Sequence, residues 1–442
     1  MTANPLDLLP ELLILAGAVT GLLTGLVAPR HRQRIVAWIC GLALAGAAAA
    51  TVAVLGAPGM TAFDAYAVDP LTDAARLIVA LATLFTLCLA AGWARGNSRE
   101  TEVYTLILLS ALGTVLMAGA GDLLVLVAAY LLASIPAYAL AGFAKDAPGT
   151  EAALKYYLMG AFLGVLMLAG VTITYGAAGA TSYAGLRAPV AGVILLLAGL
   201  LFKAGGVPAH FWVPDVTEGA SRPVAAFVTT VPKIGAFVAL FRLSGSAFQE
   251  PDLLAVVAVA TMTLGNLAAF SQDNVRRLLA YSTISQAGYL LVPVAVAGRT
   301  DLAEPALLFY LAAYAVTNLG AFAVVAATGL DNLRDYAGLA RRSPWAAFAL
   351  VTCLLGLIGT PPTAVFLGKL LMLAAAWDGG YAWLAVVAAA NTVASVFYNV
   401  RWIRPVFALE GTGTPVVGWQ AQVAAVASVV LGMAGGIVLL IP

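Results

Sequence analysis

Residues 190–208 read VAGVILLLAGLLFKAGGVP, and this stretch decides the fold class. An uncharged, mostly apolar run leads to a single lysine, Lys203, and then to the break Gly205-Gly206-Val207-Pro208. A helix needs about 20 apolar residues to cross the ~30 Å hydrocarbon core of a bilayer. The stretch therefore predicts a membrane-spanning helix, near 190–209, that carries a charge in its interior and is interrupted close to that charge.

The composition of the whole chain agrees with this interpretation. Of its 442 residues, 62% are hydrophobic and only 10% are charged, whereas soluble domains carry about 25% charged residues. The mean hydropathy is +0.98. Lipid cannot satisfy backbone hydrogen bonds, so helices are expected, and the short alternating segments of a membrane β-barrel do not occur. A net charge of +1 leaves no basic surface for nucleic acid. We predict an all-α integral membrane protein.

Apolar runs separated by short polar or Gly/Pro breaks predict about fourteen transmembrane helices. They lie near 8–28, 35–56, 72–93, 103–120, 122–142, 153–175, 190–209, 223–243, 252–270, 278–298, 304–328, 346–376, 381–402 and 419–441. With the N-terminus outside, most of the 22 lysines and arginines fall in inner loops, and only Arg76, Arg187, Arg242 and Arg299 lie outside. This asymmetry follows the positive-inside rule. We expect a multi-pass protein of the cell (inner) membrane with both termini on the outer face.

The chain contains a weak internal repeat. Leu112-Gly113 recurs as Leu264-Gly265, Ser134 as Ser285, and Tyr138 as Tyr289, at a nearly constant offset. We expect one polytopic membrane domain, 1–442, with repeat A at about 103–243 and repeat B at about 252–402. Each repeat holds five helices, an odd number, so the second copy enters the membrane from the opposite side. Two inverted five-helix repeats are the architecture of secondary transporters.

Corresponding helix breaks occur in the two repeats. The predicted seventh and twelfth helices are interrupted at glycine and proline residues, namely Gly206, Pro208, Gly359, Pro361 and Pro362. Proline removes a backbone donor and clashes with the preceding turn. Broken helices are tolerated in a membrane where they line a hydrated cavity, so paired breaks indicate a transport path. A simple packing kink is the alternative.

Three lysines, Lys203, Lys233 and Lys369, lie well inside predicted helices seven, eight and twelve. A central charge costs at least ~2.5 kcal/mol on insertion scales, and such residues mark ion or proton pathways. The alternative is a structural role for each. No acid falls at the centre of a predicted helix. Possible accessory residues follow the first break or lie on the tenth helix, namely His210, Asp215, Glu218 and Gln286. Three scattered cysteines and two histidines predict no metal site.

Five segments carry a resemblance to a known family: 9–12, 151–160, 202–219, 277–289 and 366–369. They include LPEL, EAALKYYLMG, FKAGGVPAHFWVPDVTEG, RLLAYSTISQAGY and FLGK. The chain resembles the antiporter-like membrane subunits of NADH:quinone oxidoreductase (complex I), and among these subunit N. The stretch Val216-Thr217-Glu218-Gly219 favours N over the M and L relatives, and the absence of a long C-terminal lateral helix argues against L.

The resemblance implies a fourteen-helix antiporter-like fold and a proton axis through the three lysines. Lys203 would exchange charge with an acid on the fifth helix, Lys233 would link two half-channels, and Lys369 would gate the outer one. It implies no flavin, iron–sulfur cluster or quinone in this chain; these belong to partner subunits. The sequence departs from the family pattern at Leu131, where the family has glutamate, and at Gln286, where many N subunits have histidine.

We therefore expect a proton-translocating subunit of a complex-I-like quinone oxidoreductase. It would couple electron transfer in partner subunits to proton movement, as part of a translocase, without redox chemistry of its own. The expected partners are other membrane-arm subunits and the lipid bilayer. One alternative is a subunit of a cation/proton antiporter or membrane-bound hydrogenase. Another is a non-pumping structural subunit, which Leu131 favours and the retained lysines oppose.

Overall fold

The structure is a computed structural model, and it describes residues 5–56, 59–248, 250–409 and 418–440. Within these ranges the chain forms seventeen α-helices, one small sheet and three short 3₁₀ helices. The helices are α1 Leu9–Val27, α2 Arg34–Val54, α3 Pro70–Ala94, α4 Glu100–Gly119, α5 Leu123–Ala141, α6 Ala147–Ala178, α7 Val190–Ala204, α8 Trp212–Gly219, α9 Arg222–Ser246, α10 Pro251–Ala269, α11 Val275–Ala295, α12 Ala303–Thr328, α13 Leu339–Arg342, α14 Pro344–Ile358, α15 Ala364–Asp378, α16 Ala382–Val406 and α17 Trp419–Leu440.

The predicted membrane fold is confirmed, with a difference in how the spans are counted. Eleven helical segments of the described chain are long and apolar enough to cross a membrane, and three shorter apolar helices accompany them. Two of the shorter ones, α7 and α14, have 15 residues each because they end at the helix breaks. A half-helix does not reach the ~20 residues that a complete span needs. The count of fourteen spans therefore stays a prediction.

Both predicted helix breaks are present. α7 ends at Ala204, before Gly205 takes a positive φ of 75°, and the chain resumes as α8 at Trp212. α14 ends at Ile358 and α15 begins at Ala364. The sequence prediction ran the seventh helix on to 209 and missed α8. Eight residues that include a proline and two acids give no apolar signal of their own.

The chain divides into two compact units. The first contains residues up to Ala204 and Gly219–Glu250; the second contains Gly205–Glu218 and the chain from Pro251 onward. In the first unit, 94% of the most apolar stretch of α9 is buried inside the protein. In the second unit, the same fraction of α11 is buried. Lys203 and Lys233 belong to the first unit and Lys369 belongs to the second.

Glycines bring neighbouring helices close together inside each unit. A Cβ on Gly113 of α4 would lie 2.2 Å from the backbone nitrogen of Ala133 on α5. In the second unit, a Cβ on Gly265 of α10 would lie 2.4 Å from the backbone nitrogen of Ser285 on α11. Small residues allow such backbone contact between membrane helices. The Leu-Gly pair seen twice in the sequence therefore marks a tight helix pair in each unit.

A short hairpin, β1 Met60–Ala62 and β2 Tyr66–Val68, interrupts the helices between α2 and α3. A buried charge network holds it to α1 and α3. Arg76 donates from Nε to Glu11 Oε1 at 2.7 Å and from Nη2 to Oε2 at 2.9 Å, while the Tyr66 hydroxyl donates to Oε1 at 2.6 Å. A bidentate arginine pair with its remaining acceptors satisfied is the form in which buried charges are tolerated.

Candidate functional site

Lys203 is the central polar group of the first unit. It lies one residue before the end of α7 and is completely buried. Its Nζ donates a hydrogen bond of 2.7 Å to Ser134 Oγ on α5 and lies 5.6 Å from the centre of the Tyr130 ring. A hydroxyl acceptor and an aromatic face both stabilise an ammonium ion without carrying a charge. Among the described residues of this unit, no carboxylate forms an ion pair with Lys203.

Leu131, the position at which the resemblance implies a glutamate, lies on α5 one turn before Ser134 and has 43% of its surface exposed. The nearest acid on this stretch of chain, Asp122, is the N-cap of α5. Its carboxylate accepts from the backbone nitrogens of Leu124 and Val125 and from the hydroxyl of Thr181. Asp122 is therefore committed to the helix end.

Lys233 lies in the middle of α9 and only 1% of its surface is exposed. Its Nζ has no hydrogen-bond partner among the residues that the structure describes. Buried polar groups are almost always hydrogen-bonded, so an ammonium without a protein acceptor calls for hydration or for the neutral amine. Both are states that a proton-carrying lysine passes through.

Lys369, on α15 in the second unit, is held by neutral acceptors as well. Its Nζ donates to the carbonyl oxygen of Ile358 at 2.9 Å and to Thr392 Oγ1 at 3.3 Å, and it lies 4.1 Å from the centre of the Tyr289 ring. Gly359 has a φ of 89°, and a Cβ there would lie 2.9 Å from Lys369 Cδ. The glycine at the break therefore leaves room for the lysine stem.

Pro361 and Pro362 explain why the Ile358 carbonyl is available. In an unbroken helix the carbonyls of residues 357 and 358 would accept from the amides of residues 361 and 362, but proline has no amide hydrogen. The Leu357 carbonyl accepts from Gln286 Nε2 at 2.8 Å, and the Ile358 carbonyl accepts from Lys369. The proline pair thus provides two backbone acceptors inside the second unit, and polar side chains occupy both.

Gln286 is part of a wider buried polar network in the second unit. Tyr310 donates from its hydroxyl to Gln286 Oε1 at 2.6 Å. Nearby, Asn266 donates to Asn391 Oδ1 at 3.0 Å and accepts from Ser285 Oγ at 2.8 Å. Interhelical hydrogen bonds of this kind hold membrane helices together. The sequence analysis named Gln286 alone; the partner residues gave no signal because isolated Asn, Ser and Tyr are common in membrane helices.

The first break places its predicted residues differently from the second. Gly206 is buried and Pro208 is exposed. Between them, the backbone nitrogen of Val207 donates to Thr261 Oγ1 at 3.0 Å within the second unit. His210 is half-buried. None of these residues forms a cluster with other histidines, cysteines or acids that could hold a metal ion within the described chain.

Asp215 and Glu218 lie on α8 and pair with an arginine of the same unit. Arg277 Nη1 donates to Asp215 Oδ1 at 3.0 Å and to Glu218 Oε2 at 2.8 Å, and Asn274 donates to Glu218 Oε1 at 3.3 Å. The three charged side chains are 29–38% exposed. The two acids after the break thus anchor α8 to the start of α11. Sequence analysis placed Arg277 in a loop and did not find this pairing.

Comparison with known proteins identifies the family. A model of "NADH:quinone oxidoreductase/Mrp antiporter, TM" matches residues 120–397. NADH-quinone oxidoreductase subunit N 1 of Streptomyces griseus is 52% identical over 460 residues, which cover 99% of this chain and 98% of that protein. The chain belongs to the NADH:quinone oxidoreductase/Mrp antiporter transmembrane family.

Two solved structures place the fold in this family. A chain of respiratory complex I from Thermus thermophilus, with bound aureothin, superimposes with a TM-score of 0.87 at 34% identity, covering 97% of this chain and 98% of that one. A chain of the Mrp complex from Dietzia gives a TM-score of 0.85 at 22% identity, covering 99% and 96%. The second likeness concerns the fold alone. The recognition made from the sequence motifs is confirmed by the first and by the relative from Streptomyces.

Proposed function

We propose that this chain is a proton-translocating, antiporter-like membrane subunit of a complex-I-like quinone oxidoreductase. Electron transfer takes place in partner subunits, which carry the redox cofactors, and this chain moves protons without redox chemistry of its own. It sits in the cell membrane among other membrane-arm subunits, with both termini on the outer face. The similarity to subunit N from Streptomyces over nearly the whole chain supports this assignment.

The observation that carries the proposal is the environment of the three lysines. Lys203, Lys233 and Lys369 are at most 4% exposed, and the acceptors of Lys203 and Lys369 are neutral. Charged residues inside membrane segments are rare, pair with one another or with backbone carbonyls, and mark ion or proton pathways. A lysine held by hydroxyls and carbonyls keeps the freedom to lose and regain its proton. The helix breaks at Lys203 and Lys369 add the polar backbone that a proton path needs.

The test is Lys233→Met in the intact complex, with proton uptake into vesicles measured per electron delivered to quinone. We expect proton translocation to fall by about tenfold or more, while the amount of assembled complex is unchanged. Removing a buried charge relieves an insertion cost of ~2.5–3.5 kcal/mol and so does not harm folding.

Lys155→Met is the matched control, since Lys155 is 45% exposed and pairs with Glu151 on the surface of α6 at 2.8 Å. It should pump at the wild-type rate. If Lys233→Met also pumps at that rate, the lysine is structural. The chain is then a non-pumping spacer of the membrane arm, the role that Leu131 in place of a glutamate favours.

A further inference from the structure

Three hydroxyl-bearing residues lie on one face of α5, opposite Lys203. Tyr130, Ser134 and Tyr138 are spaced four residues apart and therefore stack one above another along the helix. All three are buried, with exposed fractions of 1%, 0% and 8%. We call these residues the hydroxyl cluster. It supplies the acceptor of Lys203 on α5, the helix on which the resemblance implies an acid.

The cluster is organised around Gly160 of α6. The Tyr130 hydroxyl donates to the Gly160 carbonyl at 3.3 Å, and a Cβ on Gly160 would lie only 1.9 Å from the Tyr138 hydroxyl. The two tyrosine oxygens therefore converge on the same glycine backbone. Tyr138 lies one helical turn beyond Ser134 on the same face of α5. Edge-on packing against Tyr156, with ring centres 4.7 Å apart, fixes the Tyr138 ring in this position.

Ser134 connects the lysine to the rest of the cluster. Its oxygen accepts from Lys203 Nζ at 2.7 Å. A serine hydroxyl has one donor and two acceptor positions. While the oxygen accepts from the lysine, its own hydrogen stays free to be donated to a second group. The neighbouring hydroxyl of Tyr138 is such a group. Lys203 and Ser134 thus form a hydrogen-bonded pair, and Tyr138 brings a further exchangeable proton one turn along the same face of α5.

We propose that Ser134 and Tyr138 are the groups that take the proton from Lys203 in the first unit; this inference rests on the proton-translocating function proposed above. An Nζ–H bond of the ammonium breaks, and that proton binds Ser134 Oγ. The original Ser134 proton passes to the Tyr138 oxygen, and the original Tyr138 proton passes to a water molecule, which becomes hydronium and carries the positive charge away. Each hydroxyl gains one proton and loses one, so neither is left charged, and Lys203 becomes neutral.

The chemistry explains how the chain can lack the glutamate of its family. A carboxylate stores the proton as a covalent acid, whereas a hydroxyl line only conducts it. Tyr130 contributes its ring to the ammonium, at 5.6 Å, and its hydroxyl to the Gly160 anchor, and so positions the line. Leu131 is consequently free to serve as an apolar surface residue.

The experiment compares Ser134→Ala, Ser134→Thr and Tyr138→Phe in the intact complex, as protons translocated per electron in H₂O and in D₂O. Ser134→Ala and Tyr138→Phe should each lower translocation by roughly tenfold or more. Ser134→Thr, which keeps the hydroxyl, should restore most of the rate and the solvent isotope effect. Tyr138→Phe retains the ring that packs on Tyr156, so its loss of function would not reflect a lost packing contact.

Ser110→Ala is the matched control, because the Ser110 hydroxyl is as buried as that of Ser134 but donates at 2.7 Å to the Ala133 carbonyl on α5, whereas Ser134 accepts from a lysine. It should keep the wild-type rate. Rates are expressed per assembled complex, so that a variant with lower yield remains informative. Full translocation by Ser134→Ala, with Lys233→Met still impaired, overturns the hydroxyl line and leaves the proposed function intact. Full translocation by Lys233→Met overturns the function itself.

Discussion

The cost of burying an ammonium ion and the gain from its hydrogen bonds decide whether a buried lysine is charged or neutral. Placing an ammonium at the membrane centre costs ~2.5–3.5 kcal/mol on insertion scales, and a hydrogen bond to a charged group returns about 1.5–3 kcal/mol. Lys203 has one such bond with Ser134, and Lys369 has two, with Ile358 and Thr392. For Lys203 the cost and the gain nearly cancel, so neither the charged nor the neutral form is locked, whereas the two bonds of Lys369 favour its charged form. An ion pair with a carboxylate would shift this balance strongly to the charged form.

Gly160 offers a test of the hydroxyl cluster by packing alone. In Gly160→Ala the new Cβ would lie 1.9 Å from the Tyr138 hydroxyl and 3.0 Å from the Phe202 ring. Since aromatic rings cannot bend away, we expect the free energy of unfolding to fall by about 1–3 kcal/mol. The rate of proton translocation should fall with it. Gly176→Ala on the same helix has open space around the new methyl group. It should be neutral or stabilising by up to ~1 kcal/mol. Equal effects of the two substitutions would contradict the close approach at Gly160.

The site residues that could be predicted from the sequence are unusual in a membrane helix, and those that could not be predicted are common there. Lys203, Lys233 and Lys369 are exceptions in apolar helices, and a charge in such a run has few explanations. Ser134 and Tyr138 are ordinary residues for a membrane helix, and only the position of α7 beside α5 makes them partners of a lysine. Their four-residue spacing was visible in the sequence, but spacing does not reveal which helix packs against that face.

At the level of the element, the helix breaks supply acceptors rather than flexibility. Glycine and proline in apolar runs predicted both interruptions correctly, because their backbone chemistry is local. The use of the freed carbonyls depends on other helices: α11, distant in the sequence, brings Gln286, and α15, which follows the break, brings Lys369. Sequence analysis could therefore predict where α14 stops but not what binds to its end.

Pro362→Ala tests this role of the second break. An alanine at 362 restores an amide hydrogen that can compete for the Ile358 carbonyl, so Lys369 loses an acceptor. We expect lower proton translocation with the complex still assembled. Pro344→Ala is the control at the other end of α14, because Pro344 is the first residue of that helix and removes no helical hydrogen bond. A wild-type rate for Pro362→Ala, measured per assembled complex, would show that the carbonyl is dispensable.

At the start of α3, next to the hairpin, we predict a contact that is sensitive to acid. Asp69 caps α3 and accepts from Arg242 of α9 at 2.6 and 2.8 Å. Burial raises the pKa of Asp69, but the hydrogen bonds and charge of Arg242 outweigh burial and hold that pKa below its ordinary value. The Asp69–Arg242 pair makes its full contribution to the free energy of unfolding at pH values above the pKa of aspartate in the unfolded chain, about 3.9. This contribution is lost as the pH falls through the lower pKa that Asp69 has in the folded protein.

Asp69→Asn, which can still cap the helix, should therefore lower thermal stability at neutral pH by roughly 1–3 kcal/mol. The difference from the wild type should vanish as the pH is taken below 4. Asp146→Asn is the control: Asp146 caps α6 in the same way, through the backbone nitrogen of Gly149. A stability difference between Asp69→Asn and the wild type that does not change with pH would exclude the ion pair as its cause.

For the whole molecule, composition and apolar periodicity predicted the membrane class and nearly all long helices. The boundaries agree because the solvent imposes them: a run must be apolar and about 20 residues long to cross the bilayer. The hairpin of 60–68 and α8 were missed because they are short and lie outside that constraint. Long-range assignments, such as α8 belonging to the second unit, depend on tertiary packing and have no local signature.

Sidedness is the property of the whole chain that the sequence predicts most sharply. Inner loops carry most of the arginines, among them Arg341, while Arg187 belongs to the few on the outer side. Both side chains are exposed. After Cys88 is replaced by alanine, and with Cys40 and Cys353 buried, Arg341→Cys should react with a membrane-impermeant maleimide only in inside-out vesicles. Arg187→Cys should react only in right-side-out vesicles, and both should react in detergent. Labelling of Arg341→Cys from the outer face would contradict the proposed orientation, because the side on which a loop lies alternates with every span.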